Sequence, residues 1–440
     1  MNRVSALTQQ RTGHGVTQRR SMRDDEDAAA RVREVLAQPL TPAGSVEIAL
    51  LNNPGLQASF DRLGIAEADL VQAGRLRNPV FSFGRLATGG FVEVDRALMF
   101  NVLGLIAMPR ARAAGEQRFA QAQLQAAQDA SRLATEARRA WFDAVAAREL
   151  VHYDEQVLSA ADAASELSHR MQQAGNFDAL ARLRQQAFMA DAASELARAR
   201  RDATTSRERL SRILGLEGPE GSVVLPERLP PLPDLPESPQ DAERTALAQR
   251  LDVMLARQRT QATAAALGLT RVTRYVNVLE LDYQNRSESG SARQDGYAVD
   301  VSIPIFDFGM ASNERAEATY MESVHEAADV AVAASAQVRE RHETYRTAHE
   351  LARRYRDEIV PLRRQIGEQN LLRYNGMLIG VFELLADAQE QARAVRGSVA
   401  ALRDFWLADV DLAMAMTGGP GTGNATAIAT ATEQSSGDPR

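Results

Sequence analysis

Of the six histidines, His152, His169, His325, His342 and His349 lie within the body of the chain and are the residues from which a metal site would have to be built. No two of them have the three- or four-residue spacing that sets paired imidazoles on one helix face. His342 and His349 share a face only at two turns' distance. The 12 methionines are scattered, with Met414 and Met416 the only close pair, so packing rather than metal ligation is expected of them. The chain has no cysteine, which removes disulfides, thiolate ligands and thiol nucleophiles together. No phosphate loop, zinc-type cluster or framed serine nucleophile is present, so no enzyme, cofactor or metal centre is predicted. What remains is carboxylate chemistry. Glu280, Asp282 and Asp300 alternate with apolar residues, and Glu383 and Asp387 stand four apart on one helix face, where a charge pair is ordinarily solvated.

The elements that carry these carboxylates have two distinct periods. In "GYAVDVSIPIFDFG" (296–309), Tyr297, Val299, Val301 and Ile303 alternate with Ala298, Asp300 and Ser302 until Pro304 stops the strand. In "TRVTRYVNVLELDYQ" (270–284), Leu279, Leu281 and Tyr283 share one face, Glu280 and Asp282 the other. In "FVEVD", Val92 and Val94 alternate with Glu93 and Asp95. Apolar outside and acidic inside is the pattern of a barrel embedded in lipid. Four strands are too few to surround a water-filled lumen, so several chains would have to close one together. The commoner alternative for such alternation is a soluble sheet with one wet face.

Around these strands the chain is written twice: helix, two strands, long helix, turn, helix. The first repeat spans 45–214, with a helix capped by Ser45 over 46–74, strands within about 79–103, a helix over 110–174 after Pro109, a turn at 174–177 and a helix over 178–214. A Pro- and Gly-rich linker occupies 215–239. The second repeat spans 240–416, with a helix over 240–268, strands at about 271–284 and 296–304, a helix over 310–373 that Pro361 should kink, a turn at 374–377 and a helix over 378–416. In each repeat the two shorter helices together match the long one, as for helices stacked end to end in a coiled-coil-like cylinder. Residues 1–44 read as a polar segment with a poorly ordered first half, and 417–440 as a disordered tail.

Composition bounds the function. The net charge of −7 argues against nucleic acid as a partner. No run of 18 apolar residues predicts a transmembrane helix, and the first 27 residues carry arginines but no apolar stretch of export-signal length. Taken alone, these readings describe a soluble cytoplasmic chain, for which a coiled-coil scaffold is the alternative function.

Four motifs in order, "NNPGLQASFDRLGIAEADLVQAGRLRNPVFSFG" (52–84), "AGNFDALARLRQQ" (174–186), "IPIFDFG" (303–309) and "RYNGMLIGVFELLADAQEQ" (373–391), carry a resemblance covering about 46–416. The chain resembles the TolC-like outer membrane efflux family, in its variant nearest the outer membrane components of heavy-metal efflux systems. The resemblance implies a mainly α protein with a small β part. In it a homotrimer forms a 12-stranded outer membrane β-barrel that continues into a periplasmic α-helical barrel. It implies a passive exit duct for small solutes, metal cations or drugs. The implied partners are outer membrane lipid, a periplasmic adaptor (membrane fusion) protein and an inner membrane pump of the RND type. Gly175, Asn176 and Phe177 in one turn, and Tyr374, Asn375 and Gly376 in the other, become adaptor-docking tips. Glu383 and Asp387 become the acidic gate of the periplasmic mouth, with Asp300, Glu280 and Asp282 in the lumen. Two departures accompany it: the chain shows neither an export signal nor the lipidated cysteine of many metal-efflux relatives, so the expectation is either a true start upstream or a truncated or mis-started reading.

Overall fold

The computed structural model describes residues 1–173, 179–216, 223–234, 242–273, 278–302 and 310–418. The protein is mostly helical with one small antiparallel sheet. The chain divides into two compact units, 1–57 with 127–250 and 334–440, and 58–126 with 251–333, so each sequence repeat contributes to both. Among the described residues no helix is long and apolar enough to cross a membrane.

The amino-terminal segment corrects the expectation of disorder. Helices α1 (Asn2–Thr12) and α2 (Met22–Leu36) form there. Val4, Thr8 and Thr12 recur every four residues and bury one stripe of α1. Ser21 and Asp24 make a reciprocal capping box that starts α2.

The helix expected over 46–74 is two helices, α3 (Pro42–Asn52) and α4 (Pro54–Ala73). Thr41, not Ser45, is the N-cap, accepting from the Gly44 amide. Ser45 is buried within α3, its hydroxyl donating to the Pro42 carbonyl at 2.7 Å. Pro54 forces the break because it cannot donate to the α3 ladder and holds Asn53 extended. Strands β1 (Val80–Thr88) and β2 (Phe91–Asn101) are joined by Gly89 and Gly90, both at positive φ, as a two-residue hairpin demands.

Helix α5 (Val102–Gln173) follows β2 without a loop, eight residues before the expected start, and includes Pro109. The Asn101 side chain caps the Gly104 amide at its entrance, and Pro109 is tolerated close to that end. Helix α6 (Ala179–Leu214) comes next. The helix expected over 240–268 is again broken in two, α7 (Ala242–Gln249) and α8 (Leu251–Thr273), so helix occupies the first residues expected to be strand.

Strands β3 (Val278–Glu288) and β4 (Gln294–Ser302) reach into the segment between the two expected strands, leaving a tight turn around Ser289–Gly290. The long helix expected over 310–373 is α9 (Met310–Arg354), a π-turn at Tyr355–Ile359, and α10 (Val360–Asn375). Pro361 lies in the first turn of α10, where the π-turn absorbs its missing amide. Helix α11 (Val381–Thr417) completes the described chain, and the expected tail from 419 onward lies outside the described residues.

In the first unit, Trp141, Val145, Leu210, Leu214 and Ile48 form the core with Val223, Leu225 and Leu229 of the proline-rich linker. The linker's carbonyls are bound: Trp406 Nε1 donates to Pro230 O at 3.0 Å, and the Leu40 amide to Val224 O at 2.8 Å. The second unit contains the sheet, whose order is β1-β2-β3-β4, every neighbour antiparallel.

Candidate functional sites

The register assigns every strand residue to a face. Glu280 pairs with Asp300, Leu281 with Val299 and Leu279 with Val301 across β3 and β4, so Glu280, Asp282 and Asp300 share one face. Met99 pairs with Asp282 and Asn101 with Glu280 across β2 and β3, extending that polar face. Asp282 is only 6% exposed, and its Oδ1 has no hydrogen-bond partner among the described residues. Farther along the same face, the Arg286 guanidinium sits between Glu93 at 3.2 Å and Asp95 at 2.7 Å.

The opposite face carries Phe81, Phe83, Phe100, Leu281, Tyr283, Tyr297, Val299 and Val301, all exposed. Ile303, expected to extend this face, lies outside the described residues. The second unit thus has a polar side and an apolar side, and the outer edges of β1 and β4 are unpaired among the described residues. At 9 to 11 residues, the strands have the length of tilted membrane strands.

In the first unit, α10 and α11 form a hairpin whose turn is a Schellman motif. The Leu378 amide donates to Arg373 O at 2.8 Å and the Met377 amide to Tyr374 O at 2.9 Å. Met377, at φ +58°, takes the left-handed position normally given to glycine, whereas Gly376 has φ −80°. The reversal at this turn is therefore made by Met377 and not by Gly376. Met377 is 93% exposed and Leu378 72%. Tyr374, Asn375 and Gly376 lie at this tip; the other three expected tip residues, Gly175, Asn176 and Phe177, fall outside the described residues.

Glu383 is exposed in the first turn of α11, while Asp387, one turn on, is buried. The Asp387 carboxylate lies over Gly367 of α10: a Cβ there would come within 3.3 Å of its Oδ2. The helix period that seemed to align the two acids does not give them one environment.

The histidines fall as packing and surface residues. His349 is buried edge-on to Phe405, with Nε2 3.0 Å from Pro233 O. His152 and His169 hydrogen-bond Gln156 and Gln173 one turn away. Met414 is buried and accepts from the Thr135 hydroxyl. Among the described residues no three His, Asp or Glu side chains form a metal-binding group.

One site escaped the sequence reading. Asp154 of α5, with its side chain only 3% exposed, receives Arg396 of α11 at 3.2 Å, and Arg396 also reaches Glu195 of α6 at 2.9 Å. The second Asp154 oxygen has no partner among the described residues. Burial pushes the Asp154 carboxyl above its ordinary value, Arg396 opposes this, and Glu195 adds to it. Its three members stand on three helices, so no spacing in the sequence could have joined them.

Neither a family model nor the sequence of a curated protein matches the chain. Solved structures do. CusC, studied for the conformational changes accompanying folding and transmembrane channel formation, has 15% identity and a TM-score of 0.70, covering 86% of this chain and 92% of its own. The outer-membrane channel OprN has 19% identity and a TM-score of 0.71 over 92% of this chain and 94% of its own. The outer membrane protein VceC of Vibrio cholerae has 16% identity and a TM-score of 0.70 over 89% and 97%. Two long-helix repeats, each delivering two strands to one sheet, give this chain the fold of the TolC-like outer membrane channels.

Proposed function

We propose that the chain is one protomer of a homotrimeric exit duct in the outer membrane, built from the repeats 45–214 and 240–416. Three copies close a 12-stranded barrel, and their helices form a passage through the periplasm. The observation that carries this reading is the sheet itself, with one apolar face exposed and two unpaired edges. Unpaired backbone cannot stand in lipid, and a three-fold rotation joins β1 of one copy to β4 of the next until no edge remains. The duct is passive and no enzyme. An inner membrane pump of the RND type energises transport, and a periplasmic adaptor docks at the hairpin tips, where Met377 and Leu378 offer apolar side chains to water. The cargo is small solutes, metal cations or drugs.

In this reading Asp300, Glu280 and Asp282 face the lumen water. Glu383, repeated three times, rings the periplasmic mouth and favours cations. Asp387 supports that ring from behind, since it is buried against α10. The test is to produce the chain with an export signal, extract it in detergent and measure its mass with bound detergent subtracted. A trimer is expected; a monodisperse monomer or dimer would defeat the proposal. In planar bilayers, Glu383→Gln is expected to weaken cation selectivity and divalent block, and Asp387→Asn to act less. Wild-type selectivity and block in Glu383→Gln would move the ring elsewhere.

A further inference from the structure

The apolar face of the sheet is not uniformly apolar. Register sets Phe81, Leu98, Tyr283 and Tyr297 in one row across the four strands. The next row toward the hairpin turns is Phe83, Arg96, Asn285 and Asp295. Arg96 thus interrupts the apolar run of Val92, Val94, Leu98 and Phe100 along one face of β2. Arg85, paired with Val94, lies on this face one row nearer the turns, and Arg293 leads into β4 just beyond Asp295.

These groups form a built cluster. Asn285 is 4% exposed, and its side-chain carbonyl accepts from Arg96 Nη1 at 2.9 Å and from Arg293 Nη2 at 3.0 Å. Its amide donates to Asp295, which also accepts from the Tyr283 hydroxyl at 3.2 Å. The buried asparagine therefore holds two guanidiniums side by side without neutralising them. Against three arginines this face offers one carboxylate, Asp295, and none of the three makes an ion pair among the described residues. The polar face treats its arginine differently, enclosing Arg286 between Glu93 and Asp95. A net positive cluster on the exposed apolar face, just past an aromatic row, would in the duct reading stand at the depth of a bilayer's head groups.

We propose that Arg85, Arg96 and Arg293 bind the phosphate groups of outer-leaflet lipid, with Tyr283 and Tyr297 against the adjoining glycolipid surface. The chain contains no lysine, so every basic residue is an arginine, whose planar fork matches two phosphate oxygens at once. This inference rests on the outer membrane reading, because only there does this face meet lipid.

The full chain, reconstituted in nanodiscs doped with diphosphorylated lipid A, with its dephosphorylated form or with neither, is assayed for retained lipid by native mass spectrometry. Wild type is expected to retain the phosphorylated form preferentially. Arg85→Gln, whose side chain makes no hydrogen bond or ion pair among the described residues, should weaken retention about fivefold, and the triple Gln variant correspondingly more. Arg286→Gln, on the other face, should retain lipid as wild type does. Replacing the three arginines by lysine keeps the charge and should give an intermediate loss. Equal retention of both lipid forms by wild type, or equal loss in Arg286→Gln and Arg85→Gln, overturns the proposal. So does full displacement by millimolar inorganic phosphate, which would make the cluster a soluble-anion site. Failure of wild type to enter nanodiscs at all would defeat the duct reading and this inference together; entry without phosphate preference defeats this inference alone.

Discussion

At the scale of single residues, the ionic cluster of Asp154, Arg396 and Glu195 sets the sharpest expectation. Asp154 is almost enclosed, and among the described residues Arg396 is the one cation bonded to it. Removing the guanidinium leaves a buried carboxylate uncompensated, so Arg396→Gln should cost about 2 kcal/mol, below the cost of breaking a fully buried pair because Arg396 is partly exposed. A carboxyl raised on folding contributes stability that is complete below its unfolded value and is lost as pH rises through the folded one. The contribution of Asp154 to stability should therefore fall as pH rises above its unfolded value of about 4, and Asp154→Asn should remove that component of the pH dependence. Thermal unfolding in detergent across this range checks both; identical pH profiles for wild type and Asp154→Asn would sink the assignment. The carboxylates of the sheet were legible in the sequence because a strand's period of two assigns faces unaided. Asp387 was not legible as a buried group, since its burial depends on Gly367, a residue of another helix.

At the scale of elements, the strands test the face assignment. Val301 lies on the exposed apolar face and Asp300 on the polar one. Asp at Val301 would set a charge in lipid at up to about 2–4 kcal/mol, the range for the costliest residues, whereas Asn at Asp300 stays in water. Val301→Asp should abolish folded protein in the outer membrane and Asp300→Asn should not; equal amounts of both would reverse the faces. The α10–α11 hairpin carries a second expectation. Met377 holds a left-handed conformation that costs a non-glycine residue about 1 kcal/mol or more. Met377→Gly should slow hydrogen exchange of the turn amides and, if an adaptor docks at this tip as proposed, weaken its capture, because the exposed side chain is gone. Faster exchange would mean that the methionine stabilises the turn. The existence of these elements was readable, but their ends were not. Proline gave different outcomes by context: Pro54 split a helix, Pro109 was carried inside one, and Pro361 fell beside a π-turn. The amino-terminal helices were missed because buried threonines, Thr8 and Thr12, supply part of the α1 stripe, and a hydrophobic count passes over them.

At the scale of the whole molecule, counting strands already argued for more than one chain, but a sequence carries no record of how one edge meets another. The sheet ends in β1 and β4, each 9 residues long, and the proposed closed ring requires them to pair between copies. Because the chain has no cysteine, an introduced pair would report that contact without background. Ser82 of β1 and Gly296, Ala298 and Asp300 of β4 all lie on the polar face by register. Directly opposed strand residues have Cα separations of about 4.5–5.5 Å, within the span of a disulfide. Ser82→Cys combined in turn with Gly296→Cys, Ala298→Cys and Asp300→Cys should yield, for the partner in register, a covalent ladder ending at three chains. Ser82→Cys with Tyr297→Cys should yield none, since the two thiols would leave the sheet on opposite faces. A ladder that stopped at two chains would replace the three-fold ring with a dimer. If every even-numbered partner failed in protein that had reached the membrane folded, β1 and β4 would not be neighbours, and the strands would have to close by a different arrangement of copies.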